Sequence, residues 1–327
     1  MRRTAVVRVL VVGMVLGQVT GLAAAATEAA TPGSEGLPSA LEAARLRARL
    51  ETALAAAAWD SALAPAQELA ALEQEEHLEA LYRVLRIHCA REDSSRAYET
   101  LDDLLGAGWW NHRRLRTDPD VAFLMARERA RALVRAAWSR QYIGMLERDT
   151  RDAMQKPVEV MAALAVQPGQ RVADVGAGSG YFTLRLADAV GPGGRVLALD
   201  IRQEMLDHIA ARTRAAQLEN VELRLVPADD PQLEPGSCDL ILMVDTMHYV
   251  KDRVAYARRL RAALAPGGRV AIIDFRFDPQ AVREFAPPPE QQVAREVLDS
   301  ELAEAGLVVA ADHGFLPEQY FVIYEAR

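Results

Sequence analysis

The stretch that most constrains this 327-residue chain is residues 171–187, RVADVGAGSGYFTLRLA. Residues 171–175 have the pattern of a short apolar strand, with Asp174 near its end. Glycines follow at every second position, and residues 181–190 then repeat apolar side chains at helical spacing. Glycine lets the backbone approach a ligand closely, and a helix N-terminus offers free N–H groups. The stretch therefore predicts a strand, a turn and a helix that form a nucleotide-binding corner.

The spacing of the glycines narrows the class of nucleotide. A dinucleotide-binding turn has the pattern G-x-G-x-x-G, with a third glycine at the sixth position. Here Tyr181 holds that position, and the pattern is G-x-G-x-G with Asp174 two residues ahead. A glycine triplet alone is a weak signal, so the interpretation depends on the chain that follows.

From residue 171 to the C-terminus, strand patterns alternate with helix patterns. The predicted strands are 171–175, 195–200, 221–226, 240–245, 269–275, 307–311 and 320–324. The predicted helices between them are 181–190, 203–217, 252–265 and 291–305. Such alternation predicts an α/β fold with a doubly wound, mostly parallel sheet. Ligands of such a sheet bind beyond the carboxyl ends of its strands.

Polar residues follow the predicted strands at this edge. Asp200 ends the second strand about 20 residues after the glycine turn, where an acid can accept the hydroxyls of a ribose. Asp229 follows the third strand, where its carboxylate can accept from an adenine amino group. Asp245 ends the fourth strand, and His248 and Tyr249 come directly after it.

Residues from about 142 to the end resemble the class I S-adenosylmethionine-dependent methyltransferases. The matching segments, in family order, are VADVGAGSGYFTLRLA, VLALDIRQEML, VPADD, LILMVDTMHYV and LRAALAPGGRVAIIDF. The resemblance implies a Rossmann-like methyltransferase fold with seven strands, of which the last runs antiparallel. It also implies S-adenosyl-L-methionine as the cofactor.

The resemblance further implies a role for each matching residue. It assigns cofactor binding to Asp174, Gly176, Ala177, Gly178, Gly180, Asp200, Ile201, Ala228, Asp229 and Val244. Candidate catalytic residues are Asp245, His248 and Tyr249. Histidine commonly acts as a general base near neutral pH, so His248 is a candidate base, and the alternative is that it only shapes the pocket. Tyr142, Gln155 and Tyr181 are further candidates for contact with cofactor or substrate.

The first half of the chain is helix-forming from residue 39 to residue 138. Its apolar spacing predicts four amphipathic helices that pair into two hairpins. Ala62 and Ala97 occupy matching places 35 residues apart, close to the 34-residue period of tetratricopeptide repeats. This all-α region is therefore interpreted as repeat-like. It is either a docking surface for a protein partner or a helical cap on the second domain.

The N-terminus has the pattern of an export signal. Arg2, Arg3 and Arg8 precede an apolar run, residues 9–26, that ends in four alanines. A basic head, an apolar middle and a small-residue end predict a secretory signal peptide over residues 1–26, followed by a linker over 27–38. The predicted domains are then 39–138 (helical) and 139–327 (methyltransferase). An uncleaved membrane anchor is the alternative to export to the periplasm or cell envelope.

Composition limits the acceptor. A formal charge of -8 and the absence of a basic groove argue against nucleic-acid binding. We expect the two cysteines, Cys89 and Cys238, to be free thiols and not to form a disulfide. The spacing of cysteine and histidine residues does not indicate a metal site. The leading hypothesis is methyl transfer to a small molecule, with no stable membrane insertion if the signal is cleaved. The alternatives are a protein methyltransferase that docks its target through the helical domain, and a non-catalytic binding protein.

Overall fold

The computed structural model describes residues 37–56, 59–278, 280, 283 and 286–327. The chain forms two compact units that divide between Gln141 and Tyr142, where the sequence placed the boundary between 138 and 139. The predicted signal peptide lies outside the described residues. So does the predicted linker, except for its last two residues, which already belong to the first helix.

The first unit is helical. Its helices are α1 (Leu37–Ala55), α2 (Trp59–Ala90), α3 (Ser94–Gly106), α4 (His112–Thr117), α5 (Ala122–Met125) and α6 (Glu128–Leu146), the last of which continues past the boundary. No helix among the described residues is long and apolar enough to cross a bilayer.

The predicted pairing of four helices into two hairpins is wrong. The second and third predicted helices are one helix, α2, which is 32 residues long. Residues 73–77, EQEEH, join the two apolar patterns without glycine or proline, and most of these residue types favour helix. The chain therefore has no reason to turn there, and the tetratricopeptide-like interpretation is not confirmed.

The core of the first unit is closed by an aromatic stack. The rings of Tyr82 and Trp109 lie 4.8 Å apart and nearly parallel, and the Arg114 guanidinium lies 4.2 Å from the Tyr82 ring centre. The Tyr82 hydroxyl donates to Asp118 Oδ2 at 2.7 Å, so this buried aromatic ring also satisfies its polar atom.

The second unit is built on a seven-stranded sheet. Its strands are β1 (Arg171–Val175), β2 (Arg195–Asp200), β3 (Val221–Leu225), β4 (Cys238–Val244), β5 (Leu264–Phe275), β6 (Leu307–His313) and β7 (Gln319–Ala326). Their order is β3-β2-β1-β4-β5-β7-β6. Only β7 runs against its neighbours β5 and β6, which confirms the predicted α/β fold and its antiparallel last strand.

The helices of this unit are α7 (Arg151–Gln155), α8 (Pro157–Leu164), α9 (Tyr181–Val190), α10 (Gln203–Ala215), α11 (Arg253–Ala263) and α12 (Arg295–Glu304). Successive strand residues enter opposite cores, as the two-residue period of a strand requires. Ala173 and Ile241 pack in one core, and Val172 and Leu240 pack in the other. Helices therefore cover both faces of the sheet, so a ligand can approach only at the ends of the strands.

One strand begins earlier than predicted. β5 starts at Leu264, and the Pro-Gly-Gly segment expected to precede it lies within its bounds. The pairing with β4 shifts there, because Cys238 pairs with Leu264 but Leu240 pairs with Arg269. A Cβ on Gly268 would lie 2.8 Å from the Cys238 carbonyl oxygen, so only glycine fits this irregularity. Both cysteines are buried free thiols, as predicted.

Candidate active site

Sheet topology brings the predicted strand ends together. β1 lies between β2 and β4, and Asp174 is in register with Ala198 on one side and Leu242 on the other. The strand order reverses at β1 and β4, and that reversal is where ligands of doubly wound sheets bind. The site is therefore built from the loops after β1, β2, β3 and β4.

The glycine turn is shaped by close packing. Gly176, Gly178 and Gly180 have φ angles of 76°, 55° and 79°, a region that glycine adopts readily. A Cβ on Gly176 would overlap the side chain of Thr246, which follows β4. The backbone N–H groups of Gly176 and Ala177 both donate to the Leu199 carbonyl at 2.9 Å. These contacts fix the turn between the ends of β2 and β4.

Asp200 joins this turn to the end of β2. Its Oδ2 accepts the Gly178 N–H at 2.9 Å, and its Oδ1 accepts the Arg202 N–H at 3.0 Å. Burial raises the pKa of this carboxyl, and the two backbone donors oppose that rise. Each oxygen retains a further lone pair for a ligand hydroxyl. Ile201, the next residue, is 55% exposed and presents an apolar surface at the same place.

The remaining predicted cofactor residues lie around this turn. Asp174 is buried and accepts from Thr183 Oγ1 at 2.6 Å, and burial raises its pKa to about 6. Ala228 and Asp229 are exposed in the loop after β3. That loop is held to β2 because the Val226 N–H donates to the Asp200 carbonyl at 3.0 Å. Val244 is half-buried at the end of β4.

Asp245 is held in a strained position by two amide side chains. Its φ is 50°, in the left-handed region. Gln155 Nε2 donates to Oδ2 at 2.9 Å, and Gln319 Nε2 donates to Oδ1 at 2.5 Å. Desolvation, followed by the nearby charge of Asp274, raises the pKa of Asp245 to about 6. The two donors favour its ionised form, because a carboxylate accepts both hydrogen bonds.

His248 is paired with an aspartate that the sequence analysis missed. Asp274 on β5 accepts from His248 Nδ1 at 2.7 Å and from the His248 backbone N–H at 3.1 Å. Because the carboxylate is an acceptor, a neutral imidazole carries its proton on Nδ1 and leaves Nε2 as an acceptor. His248 Nε2 is buried, and no described group bonds to it. This arrangement can take a proton from a ligand.

His248 also lines a cavity of about 450 Å³. Its lining includes His248, Tyr249, Lys251, Phe277, Gln291 and Val297. Tyr249 is 61% exposed, and its ring centre lies 4.0 Å from that of His248. Of the three candidate catalytic residues, His248 and Tyr249 thus share a cavity, whereas the Asp245 carboxylate is bonded to the two glutamines.

Arg151 is a second residue that the sequence analysis missed. It begins the short helix α7, four residues before Gln155, so the two side chains share one face. Arg151 is 8% exposed, donates from Nη1 to the Leu146 carbonyl at 2.6 Å, and lies 3.9 Å from the Tyr181 ring centre. It lies outside every recognised motif. Among the described residues, no group of three or more acidic, histidine or cysteine side chains is placed to hold a metal ion.

Comparison with known proteins supports a methyltransferase domain in this part of the chain. Residues 173–270 match a family described as a methyltransferase domain. The nocamycin O-methyltransferase of Saccharothrix syringae is 34% identical over 147 residues, which are 45% of this chain and 50% of that protein. The demethylmenaquinone methyltransferase of Listeria welshimeri is 32% identical over 116 residues, 36% of this chain and 49% of that protein. The chain thus spans about half the length of these curated relatives.

A solved structure matches a larger share of the chain. A SAM-dependent methyltransferase from Aquifex aeolicus is 26% identical, with a TM-score of 0.52 over 56% of this chain and 95% of that one. The second unit therefore has the Rossmann-like methyltransferase fold around a segment that matches a methyltransferase domain, and this supports S-adenosyl-L-methionine as the cofactor. The donor set fits this cofactor. The turn admits no side chain at Gly176, Asp200 retains free lone pairs, and buried amide oxygens near Asp245 have no partner.

Proposed function

We propose that this protein transfers a methyl group from S-adenosyl-L-methionine to a hydroxyl group of a small molecule. The observation that carries the proposal is His248, which lines a cavity, bonds Asp274 through Nδ1 and has a buried Nε2 with no partner among the described residues. A base of this kind is needed when the nucleophile must lose a proton to react. The names of two relatives support methyl transfer to a small molecule, and one of them, the nocamycin O-methyltransferase, specifies an oxygen acceptor.

In this mechanism the protein supplies position and a base. The cofactor, when bound, supplies a methyl group already activated by a sulfonium. The glycine turn, Asp200 and Ile201 hold the adenosyl part, and correct orientation of two reactants can contribute roughly 7–11 kcal/mol. With the cofactor bound, His248 Nε2 would accept the proton that the acceptor hydroxyl loses as the methyl group is transferred, and the sulfonium would leave as a neutral thioether with the bonding electron pair. Asp274 stabilises the resulting imidazolium, and such a base contributes about 10²–10⁴-fold.

The test is methyl transfer from methyl-labelled cofactor to an extract that contains both metabolites and proteins. We expect the label to appear in small molecules, and to disappear when His248 is replaced by Gln. Label confined to protein bands would favour the alternative of a protein methyltransferase. Cofactor binding without any transfer would favour a non-catalytic binding protein.

We also propose that residues 1–26 direct export to the periplasm or cell envelope. The support is the order of three arginines, an apolar run and small residues at the N-terminus. Fractionation of a C-terminally tagged protein, with sequencing of its N-terminus, tests this. A cytosolic protein that retains residues 1–26 would contradict it, and a membrane-bound one would indicate an uncleaved anchor.

A further inference from the structure

Arg151 places a positive charge inside the second unit without an ion pair. No carboxylate among the described residues lies within 4.0 Å of its nitrogens. The side chain is buried against the Tyr181 ring, and burial lowers the pKa of its guanidinium. A buried charge that has no opposite charge in contact is destabilising, and an anionic ligand bound beside Arg151 would compensate it.

Two carboxylates lie near the guanidinium but do not touch it. The pKa values of Asp174 and Asp245 are raised to about 6, mainly by burial. The positive charge of Arg151 opposes this rise at both carboxyl groups. Asp174 is bonded to Thr183, and Asp245 is bonded to Gln155 and Gln319. The acids are thus held by neutral donors, and the positive and negative charges of the site are kept apart.

The surroundings of Asp245 are rich in acceptors. Gln155 and Gln319 are fully buried, and each uses its Nε2 to bond Asp245. Their Oε1 atoms are buried and have no hydrogen-bond partner among the described residues. A buried amide oxygen without a donor destabilises the protein, so a ligand that donates to it is favoured. Two amide oxygens and a carboxylate together match an ammonium group, which has three donors and no acceptor.

We propose that Arg151 binds the carboxylate, and Asp245 with the oxygens of Gln155 and Gln319 binds the ammonium group, of the zwitterionic amino-acid end of the cofactor. The two charged groups of an α-amino acid share one carbon, so they can reach a cation and an anion that are close but not in contact. This makes Asp245 a binding residue and leaves His248 as the base. The inference rests on the proposed cofactor use but not on the identity of the acceptor.

The arrangement predicts selection among adenosyl ligands. S-adenosylhomocysteine carries both charged groups, its decarboxylated analogue carries only the amine, and 5′-methylthioadenosine carries neither. Calorimetry on the full chain should rank their affinities in that order. Arg151→Met should lower the affinity for S-adenosylhomocysteine on the order of 10- to 100-fold, which is the usual effect of losing a hydrogen bond to a charged group. The same variant should leave the other two ligands within about twofold.

Asp245→Asn tests the other half of the site. Asn tolerates the left-handed backbone that Asp245 adopts, so the fold should be retained. This variant should weaken both amine-bearing ligands by about tenfold or more and leave 5′-methylthioadenosine unchanged. Arg185→Met is the matched control, because Arg185 also lies over the Tyr181 ring, at 4.2 Å, but pairs with Asp152. It should change none of the three affinities.

The outcomes are distinct. Equal weakening of all three ligands by Arg151→Met would show a packing role and overturn the inference, as would no weakening of S-adenosylhomocysteine. A wild-type protein that binds 5′-methylthioadenosine as tightly as S-adenosylhomocysteine, or binds neither, would also overturn it. Failure of methyl transfer with the selective binding pattern intact would contradict only the proposed function.

Discussion

Replacing Asp274 with Asn keeps the His248 side chain but removes the carboxylate that orients it, so this variant tests what Asp274 contributes to the base. Asp274 accepts from His248 Nδ1 at 2.7 Å, from the His248 N–H at 3.1 Å and from the Phe275 N–H at 2.8 Å. Asn has one carbonyl oxygen. At the Oδ1 position it keeps the bonds from His248 Nδ1 and the Phe275 N–H, whereas at the Oδ2 position it keeps only the bond from the His248 N–H and turns its NH₂ group toward the ring. In the first orientation the imidazolium loses the negative charge that stabilises it. In the second the imidazole must accept at Nδ1, which places the proton on Nε2 and removes the base.

The expected size of the effect follows from these contacts. Loss of a general base lowers kcat by about 10²–10⁴-fold. The buried carboxylate also stabilises the fold through its bonds to backbone N–H groups, and the neutral replacement should cost about 1–3 kcal/mol of unfolding free energy. Affinity for S-adenosylhomocysteine should not fall, because Asp274 makes no hydrogen bond to the residues assigned to that ligand and the loss of its charge favours the ionised form of Asp245.

The assay combines three measurements on Asp274→Asn: kcat with a methyl acceptor, calorimetry with S-adenosylhomocysteine, and urea unfolding. Asp299→Asn is the control, since Asp299 accepts from the Tyr324 hydroxyl at 2.6 Å and from Arg295 at 2.7 Å, outside the cavity. It should lose stability without losing kcat. Full kcat in Asp274→Asn, or an equal loss of kcat in both variants, would refute the role of the His248–Asp274 pair.

Three further changes probe the cofactor edge. Gly176→Ala should abolish binding of S-adenosylhomocysteine and destabilise the fold more than Gly191→Ala, which has a similar φ of 64° but open space at its Cβ; equal unfolding free energies would contradict the packing argument. Burial raises the pKa of Asp174 in the folded state from its ordinary 3.8 to about 6. The folded state therefore binds this proton more tightly than the unfolded state, and the free energy of unfolding falls as the pH rises from about 4 to about 6. Asp174→Asn should therefore gain stability relative to wild type between about pH 4 and 7 in urea unfolding, and a constant difference would count against the raised pKa. Ile201→Ala should weaken S-adenosylhomocysteine by roughly 3- to 30-fold in calorimetry, whereas Val158→Ala, at a site that is 78% exposed, should not; unchanged affinity in both would remove Ile201 from the adenine surface.

Most of the fold of the second unit could be predicted from local patterns in the sequence. Residues 171–175 and 181–190 were predicted with the bounds that the structure shows, because a strand period, a glycine turn and a helix period each act over a few residues. The parallel sheet then placed Asp174, Asp200 and Asp245 at one edge through topology alone. The opposite case is α2, where two apolar patterns joined by helix-forming residues looked like two helices.

The partners within the site could not be predicted in the same way. Asp274 lies 26 residues from His248, and Gln155 and Gln319 lie 90 and 74 residues from Asp245. These side chains meet only after β4, β5 and β7 pair, and no local pattern marks a residue for such a contact. An Arg and a Gln four residues apart were the only local sign of Arg151, and this spacing is common in surface helices.

The most direct test of the cofactor site is calorimetric titration of the full chain with S-adenosylhomocysteine, for the wild type and for Asp200→Ala. Circular dichroism should first show that the variant retains its fold. We expect one site per chain in the wild type and an affinity at least about tenfold weaker in Asp200→Ala. Absence of binding in the wild type, or an unchanged affinity in the folded variant, would contradict the placement of the cofactor at the carboxyl ends of β1, β2 and β4.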